Sequence, residues 1–161
     1  MSERSERGPS GPAAGQERTS TSLLRPRDVA PDDLDAPFWQ GCVEHRFLVH
    51  RCIVCGQAYW PASCCVDHGS AAMEWEPASG RGEVHTYTVV HHRYDPSFAA
   101  DLPYAIAVVR LDEGPFFHSD IVGCDPADVH VGMRVHVEFH ALDDVTVIPH
   151  FAPDDQPEGV S

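Results

Sequence analysis

Four side chains in this sequence have the types and spacing of metal ligands. Cys52-x-x-Cys55 and Cys65-x-x-His68 form two pairs separated by nine residues. A Cys-x-x-Cys turn brings two thiolates to one face. A glycine after the second ligand lets the backbone turn so that its N–H groups face sulfur, and Gly56 and Gly69 hold that place in both pairs. Two such knuckles make a tetrahedral Cys3His site, which suits a structural Zn2+. Metal binding of this kind folds a segment too small to hold itself together. Cys64, next to Cys65, is the alternative ligand, and a ribbon that keeps its shape with a weakened metal is the competing reading. Four protein ligands leave no open position, which argues against catalytic zinc. No βαβ pattern surrounds Cys52 and Cys55, which argues against thioredoxin-like redox use.

The remaining chemical inventory is sparse. The 161 residues contain no lysine, so all 11 cations are arginines. Schiff-base chemistry and a P-loop lysine are thereby excluded. A Gly-x-Ser-x-Gly nucleophile motif is absent. The 11 histidines include no metal-binding pattern on a helix, and they read as polar surface residues that titrate near neutrality. Cys42 and Cys124 read as small buried hydrophobes. Gly80-Arg81-Gly82 reads as a tight turn, and the acid pairs Asp112-Glu113 and Asp143-Asp144 as solvated turn carboxylates. With 25 acidic residues the formal net charge is -14. A nucleic-acid surface needs clustered cations and a basic aromatic groove, so that class is disfavoured. No apolar run approaches the ~20 residues of a membrane span. The polar N-terminus lacks the apolar stretch of a signal peptide, so a cytoplasmic protein with reduced cysteines is expected.

These groups need elements to position them. Residues 1–35 are rich in Ser, Gly, Pro, Arg and Glu and read as a disordered tail. A short helix is expected over 36–45, with Asp35 as N-cap and Pro37 in the first turn. A strand at 47–51 runs into the first knuckle, and 64–70 is turn-like. From residue 73 the pattern is β, with strands expected at 83–92, 104–111, 116–122, 134–140 and 145–149. Alternation over 134–140 points Val135, Val137 and Phe139 inward and Arg134, His136, Glu138 and His140 to solvent. Pro149 suggests that the last strand ends at an edge. Five short strands over about 75 residues suit a small closed barrel. The expected organisation is a tail (1–35), a helix and zinc ribbon (36–76), a five-stranded OB-fold barrel (77–152) and a disordered C-terminal tail (153–161), mainly β overall.

A string of motifs then runs in order: Phe38-Trp39-x-Gly41, Arg51-Cys52-x-x-Cys55-Gly56, Pro61, Cys65-x-x-His68-Gly69-Ser70, Glu74-Trp75, Ser79-Gly80-x-Gly82, Tyr87-Thr88-Val89-Val90, Pro103-Tyr104, Leu111-Asp112-Glu113-Gly114, Val122-Gly123-Cys124-Asp125-Pro126, Val131-Gly132-Met133 and Val135-x-Val137-x-Phe139. Over about residues 36–152 this resembles the zinc-ribbon plus OB-fold proteins associated with acyl-CoA enzymes, domain-of-unknown-function family 35. The family pattern has a fourth cysteine where this chain has His68. The resemblance implies an N-terminal helix, a rubredoxin-like zinc ribbon and an OB barrel. It also implies an accessory subunit in lipid, steroid or polyketide metabolism. Such a subunit docks on a thiolase-like enzyme (an acyltransferase, a ketosynthase-like enzyme or a steroid side-chain aldolase), helps form its acyl-CoA site and leaves the main catalytic residues to that partner.

If a CoA site is shared, its phosphates need cations. Arg81, Arg93 and Arg110 are the candidates, with Arg46 and Arg51 near the ribbon; surface ion pairing is the bland account of each. Phe38, Trp39, Tyr59 and Trp60 are candidate interface aromatics, with core packing as the alternative. A second functional reading is a stand-alone acyl-CoA hydrolase or lyase using His91, His92 or Asp120 as base.

Overall fold

The computed structural model describes residues 32–93 and 102–154. The tail expected over 1–35 lies outside these residues up to position 31, as does the C-terminal tail from position 155.

The helix α1 spans Ala36–Val43, with Asp35 at its N-cap and Pro37 in its first turn. The Asp35 carboxylate does not cap a helical N–H. It accepts from the Asp32 N–H at 2.8 Å and from Trp39 Nε1 at 3.1 Å. The helix ends two residues before the expected position because His45 enters the left-handed region at φ 57°. The Arg46 N–H then turns back to the Gly41 carbonyl at 2.7 Å. The His45 ring lies flat on Phe139, with centroids 5.3 Å apart.

Three strands follow: β1 (Leu48–Cys52), β2 (Ala58–Tyr59) and β3 (Met73–Pro77). They pair antiparallel in the order β2-β1-β3, with His50 opposite Tyr59 on one side and Trp75 on the other. This is the ribbon that carries both knuckles. The two-residue β2 falls between the knuckles and is too short to leave an alternation signal in the sequence.

The remaining strands are β4 (Arg81–Val90), β5 (Tyr104–Leu111), β6 (Phe116–Ile121), β7 (Arg134–Ala141) and β8 (Val147–Pro153). They close a barrel in the order β4-β5-β6-β8-β7. The mainly β, five-stranded barrel is the expected architecture. The turn before β7 contains a short 3-10 segment, Pro126–Asp128, whose N-cap Asp125 accepts from the Ala127 N–H. Along β5, Ala105, Ala107, Val109 and Leu111 are buried, and the register sets Phe117 and Ile121 of β6 opposite Val109 and Ala105. On β7, Val135 is buried, but Val137, Phe139, His136 and His140 are all half-buried. The barrel curvature and the side chains on its outside blur the expected two-sided split there.

Two expectations about chain ends are corrected. β8 does not stop at Pro149 but continues to Pro153, and Asp154 donates its N–H to the Arg134 carbonyl at 2.9 Å. Pro149 is tolerated because β6 meets β8 at the single pair Ile121↔Phe151, so at Pro149 the ladder runs to β7. The other end differs as well: Leu34, inside the stretch expected as tail, accepts a hydrogen bond from Trp75 Nε1 at 3.3 Å.

Gly80-Arg81-Gly82 is only partly a turn. Gly80 sits at φ +67°, but Arg81 and Gly82 already belong to β4. Gly82 pairs with Leu111 on one side and Val135 on the other, at the point where β4 joins both neighbours. A Cβ at Gly82 would stand 2.5 Å from the Arg110 carbonyl oxygen. Gly82→Ala is therefore expected to cost about 1–3 kcal/mol in urea unfolding, the range for overpacking a closed site.

Candidate metal centre

Each knuckle is built by the same backbone device. The Gly56 N–H donates to the Cys52 carbonyl at 2.8 Å, and the Gly69 N–H donates to the Cys65 carbonyl at 2.9 Å. Gly56 and Gly69 take φ +77° and +73°, a region that suits glycine. β1 delivers Cys52, and Arg51 braces the first turn by donating to the Gly56 carbonyl at 2.7 Å.

The four ligand atoms converge. All lie within 4.8 Å of one another. Cys55 Sγ is 3.7 Å from Cys65 Sγ, and His68 Nδ1 is 3.5 Å from Cys52 Sγ and 3.4 Å from Cys65 Sγ. Zn–S bonds near 2.3 Å and Zn–N bonds near 2.0–2.1 Å give tetrahedral edges of about 3.8 Å for S···S and about 3.6 Å for S···N. The donor set therefore fits a tetrahedral ion. Of the two adjacent cysteines, Cys65 is buried in the cluster, and Cys64 is exposed outside it.

The surroundings favour the thiolate at Cys52 and Cys65, whereas burial and the neighbouring Cys52 and Cys65 sulfurs raise the Cys55 thiol. The Asp67 backbone N–H at the Cys65 sulfur, helped by the Tyr59 hydroxyl and His68, brings that thiol down to about 6. The Cys55 backbone N–H lowers Cys52, and hydrogen bonding to the Cys65 sulfur raises His68. Burial pushes the Cys42 thiol up to about 12, in keeping with an inert core position. These groups can hold a cation and keep the ribbon folded, but they offer it no open coordination position.

The other candidate residues are dispersed. Phe38 is fully buried, with its ring 4.2 Å from Trp60 and 6.1 Å from Phe117 by centroid. As an interface residue it is a correction: the helix and ribbon need it as the centre of the core they share with the barrel. Trp60 packs into the same core, Trp39 lies half-buried beside it, and Tyr59 packs on Cys52 and Cys65.

The arginines do not form one site. Arg81 donates to Asp154 at 2.8 Å, and Arg110 lies 2.5 Å from Glu83. Arg134 makes two 2.8 Å bonds to Asp112 and holds that carboxyl below its usual range. These ion pairs surround a shallow concavity lined by Glu83, Arg110, Leu111, Asp112, Gly114 and Arg134. Arg93 is exposed beyond the opposite end of β4, about 40 Å of strand away from Arg81 at ~3.3 Å per residue. Arg46 pairs with Glu44, and Arg51 with Glu76.

The proposed bases do not converge either. His91 and His92 are exposed just past β4. Asp120 lies two strands across from Thr88 by register, and its Oδ1 is 2.5 Å from Nδ1 of His150. His150 is 3 % exposed, and its Nε2 is buried with no hydrogen-bond partner among the described residues. Sequence reasoning missed this pair because its members are 30 residues apart on strands that barely touch. The pair ties β6 to β8 at the barrel seam. Asp120→Ala is expected to lower stability by about 1.5–3 kcal/mol in urea unfolding, the cost of losing a charged hydrogen bond.

Among the described residues no helix is long and apolar enough to cross a membrane. Residues 75–140 match the model of the ChsH2 C-terminal OB-fold domain. A DUF35 domain-containing scaffold protein of Methanocaldococcus jannaschii is 36 % identical over 107 residues, covering 65 % of this chain and 75 % of the relative. A probable enoyl-CoA hydratase alpha subunit of Thermomonospora curvata is 31 % identical over 140 residues, covering 86 % of this chain. The match spans 43 % of that subunit, so this chain corresponds to less than half of its length. A solved structure titled as the Ltp2-ChsH2(DUF35) aldolase superposes with a TM-score of 0.70 at 30 % identity, covering 78 % of this chain and 98 % of that one.

Proposed function

We infer that this chain, which belongs to the family of DUF35 domain-containing scaffold proteins, is a non-catalytic subunit that docks on a thiolase-like acyl-CoA enzyme. One observation carries the reading: nearly the whole DUF35 chain of the Ltp2-ChsH2 aldolase structure superposes on this one. In this reading residues 36–76 form a metal-clamped platform and 77–152 a barrel packed against it. Cys52, Cys55, Cys65 and His68 hold one Zn2+ whose role is structural. The thiolase-like partner supplies the reaction on the acyl-CoA. This chain supplies a rigid surface beside that site. Arg81 and Arg110 reach CoA phosphates only by leaving their carboxylates, and Arg93 stands apart from them.

The stand-alone hydrolase reading has less support. Asp120 is engaged by His150, away from His91 and His92. The test is purification of the chain alone and together with the thiolase-like enzyme. Co-elution, a rise in that enzyme's acyl-CoA turnover and no turnover by the isolated chain are expected. Separate elution with unchanged activity would overturn the docking function.

A further inference from the structure

We propose that Glu138, His140 and His150 form a second divalent-metal site on the outer face of the barrel, with Asp120 orienting His150. This goes beyond the docking function and does not rest on it. The β7–β8 ladder brings the three residues together. Glu138 stands opposite His150, and His140 stands opposite Ile148, the next position along the same face. The intervening residues Val135, Val137 and Phe151 pack in the core, so Glu138, His140 and His150 point outward. The His140 and His150 rings meet edge to face, with centroids 5.6 Å apart. Two imidazoles on one tetrahedral ion, with Zn–N bonds of ~2.0–2.1 Å, have centroids roughly 5 Å apart.

The state of His150 carries the assignment. Its Nδ1 lies 2.5 Å from Asp120 Oδ1. An ionised carboxylate only accepts, so Nδ1 carries the proton and Nε2 the lone pair. That Nε2 is buried, on a side chain 3 % exposed, and has no hydrogen-bond partner among the described residues. A histidine that ligates a metal through one nitrogen donates its other ring N–H to a carboxylate in this way, and the ion relieves the orphaned lone pair. β6 and β7 flank β8 on opposite sides, so the nitrogen turned away from Asp120 on β6 faces the side where Glu138 and His140 stand. Glu138 is exposed and leans towards His136, 3.7 Å away; it turns across the ladder to complete the site. His136 is held by Asp154 at 3.1 Å and stays outside it. Two imidazoles and a carboxylate suit Zn2+ and leave it a fourth position for water.

Zinc is the probe. The full chain and the variant His140→Ala/Glu138→Gln are dialysed against the same free Zn2+ concentrations, and their metal content is measured. The wild type is expected to bind one ion more than the variant, whatever the cysteine cluster holds. Glu138→Gln alone, at a 55 % exposed side chain, should weaken the extra ion too. Asp120→Asn should hold it roughly tenfold or more weakly, as when the carboxylate behind a metal-bound histidine is lost. Histidine NMR gives a second readout: zinc should move the ring signals of His140 and His150 and leave those of the exposed His118 in place. Equal zinc content in wild type and double variant, or an extra ion that leaves the His150 signals unmoved, would overturn the site. Binding by Asp120→Asn within about twofold of wild type would overturn the orienting role of Asp120.

Discussion

Removal of the metal, by chelation or by Cys65→Ser, is expected to unfold the two knuckles (residues 52–57 and 62–72) and leave the barrel standing, with Ala58 and Trp60 still on the shared core. The reason lies in how the apolar contacts divide. Phe38, Phe47, Leu48, Val49 and Ala58 share one core with the barrel residues Val84, Phe117 and Phe151. Beyond that core, the ribbon tip has only Cys52, Cys65 and Ala72 buried, with Tyr59 and Met73 against them. Three small residues bury too little apolar surface to offset the ordering entropy of both knuckles. A structural metal couples its own binding to the folding of such a segment. Hydrogen exchange measures the outcome. On chelation the Gly56 and Gly69 amides should lose protection, and the Ala78 and Val137 amides, bonded to Phe47 and Gly80, should keep it. Equal protection with and without metal would rule the scheme out.

The same centre should respond to acid. A depressed thiol pKa means that the ligand is ready for metal above that value and competes with protons below it. With the Cys65 thiol near 6, protons begin to compete at that ligand below about that pH, and metal affinity should weaken progressively as the pH drops further. A zinc indicator followed during acid titration reads this directly.

Phe38→Ala should be the most damaging single change to the shared core, at about 3–5 kcal/mol. The Phe38 ring touches Trp39, Phe47, Trp60, Trp75 and Phe117, with centroids between 4.2 and 6.2 Å away. Those partners come from the helix, the ribbon and the barrel. A cavity at their meeting point cannot collapse by moving one element alone. Urea unfolding should show the loss, with the helix and β1 losing exchange protection first. The neighbouring half-buried Trp39→Ala should cost less. A loss under about 1 kcal/mol for Phe38→Ala would mean that ribbon and barrel do not depend on this contact.

The barrel strands were legible because each carries a local signal. The apolar run of β5 and the alternation of β7 place both strands to within a residue. The cluster able to hold a metal ion was legible for a similar reason, since Cys-x-x-Cys and Cys-x-x-His with trailing glycines encode a turn within a few residues. Where Pro149 suggested an end, β8 runs on, because its pairing there depends on β6 being absent from one side. Phe38 looked equally suited to interface or core, and only the closing of barrel on ribbon decided between them.

The order of residues alone determined the knuckles, the number of barrel strands and an acidic, lysine-free surface, since spacing, periodicity and composition are local properties of a chain. Tertiary structure decided between Cys64 and Cys65, paired Asp120 with His150, and neutralised Arg81 and Arg110 with carboxylates. The first depends on how the two knuckles converge and the others on which strands become neighbours when the barrel closes, long-range conditions that no short stretch of sequence encodes.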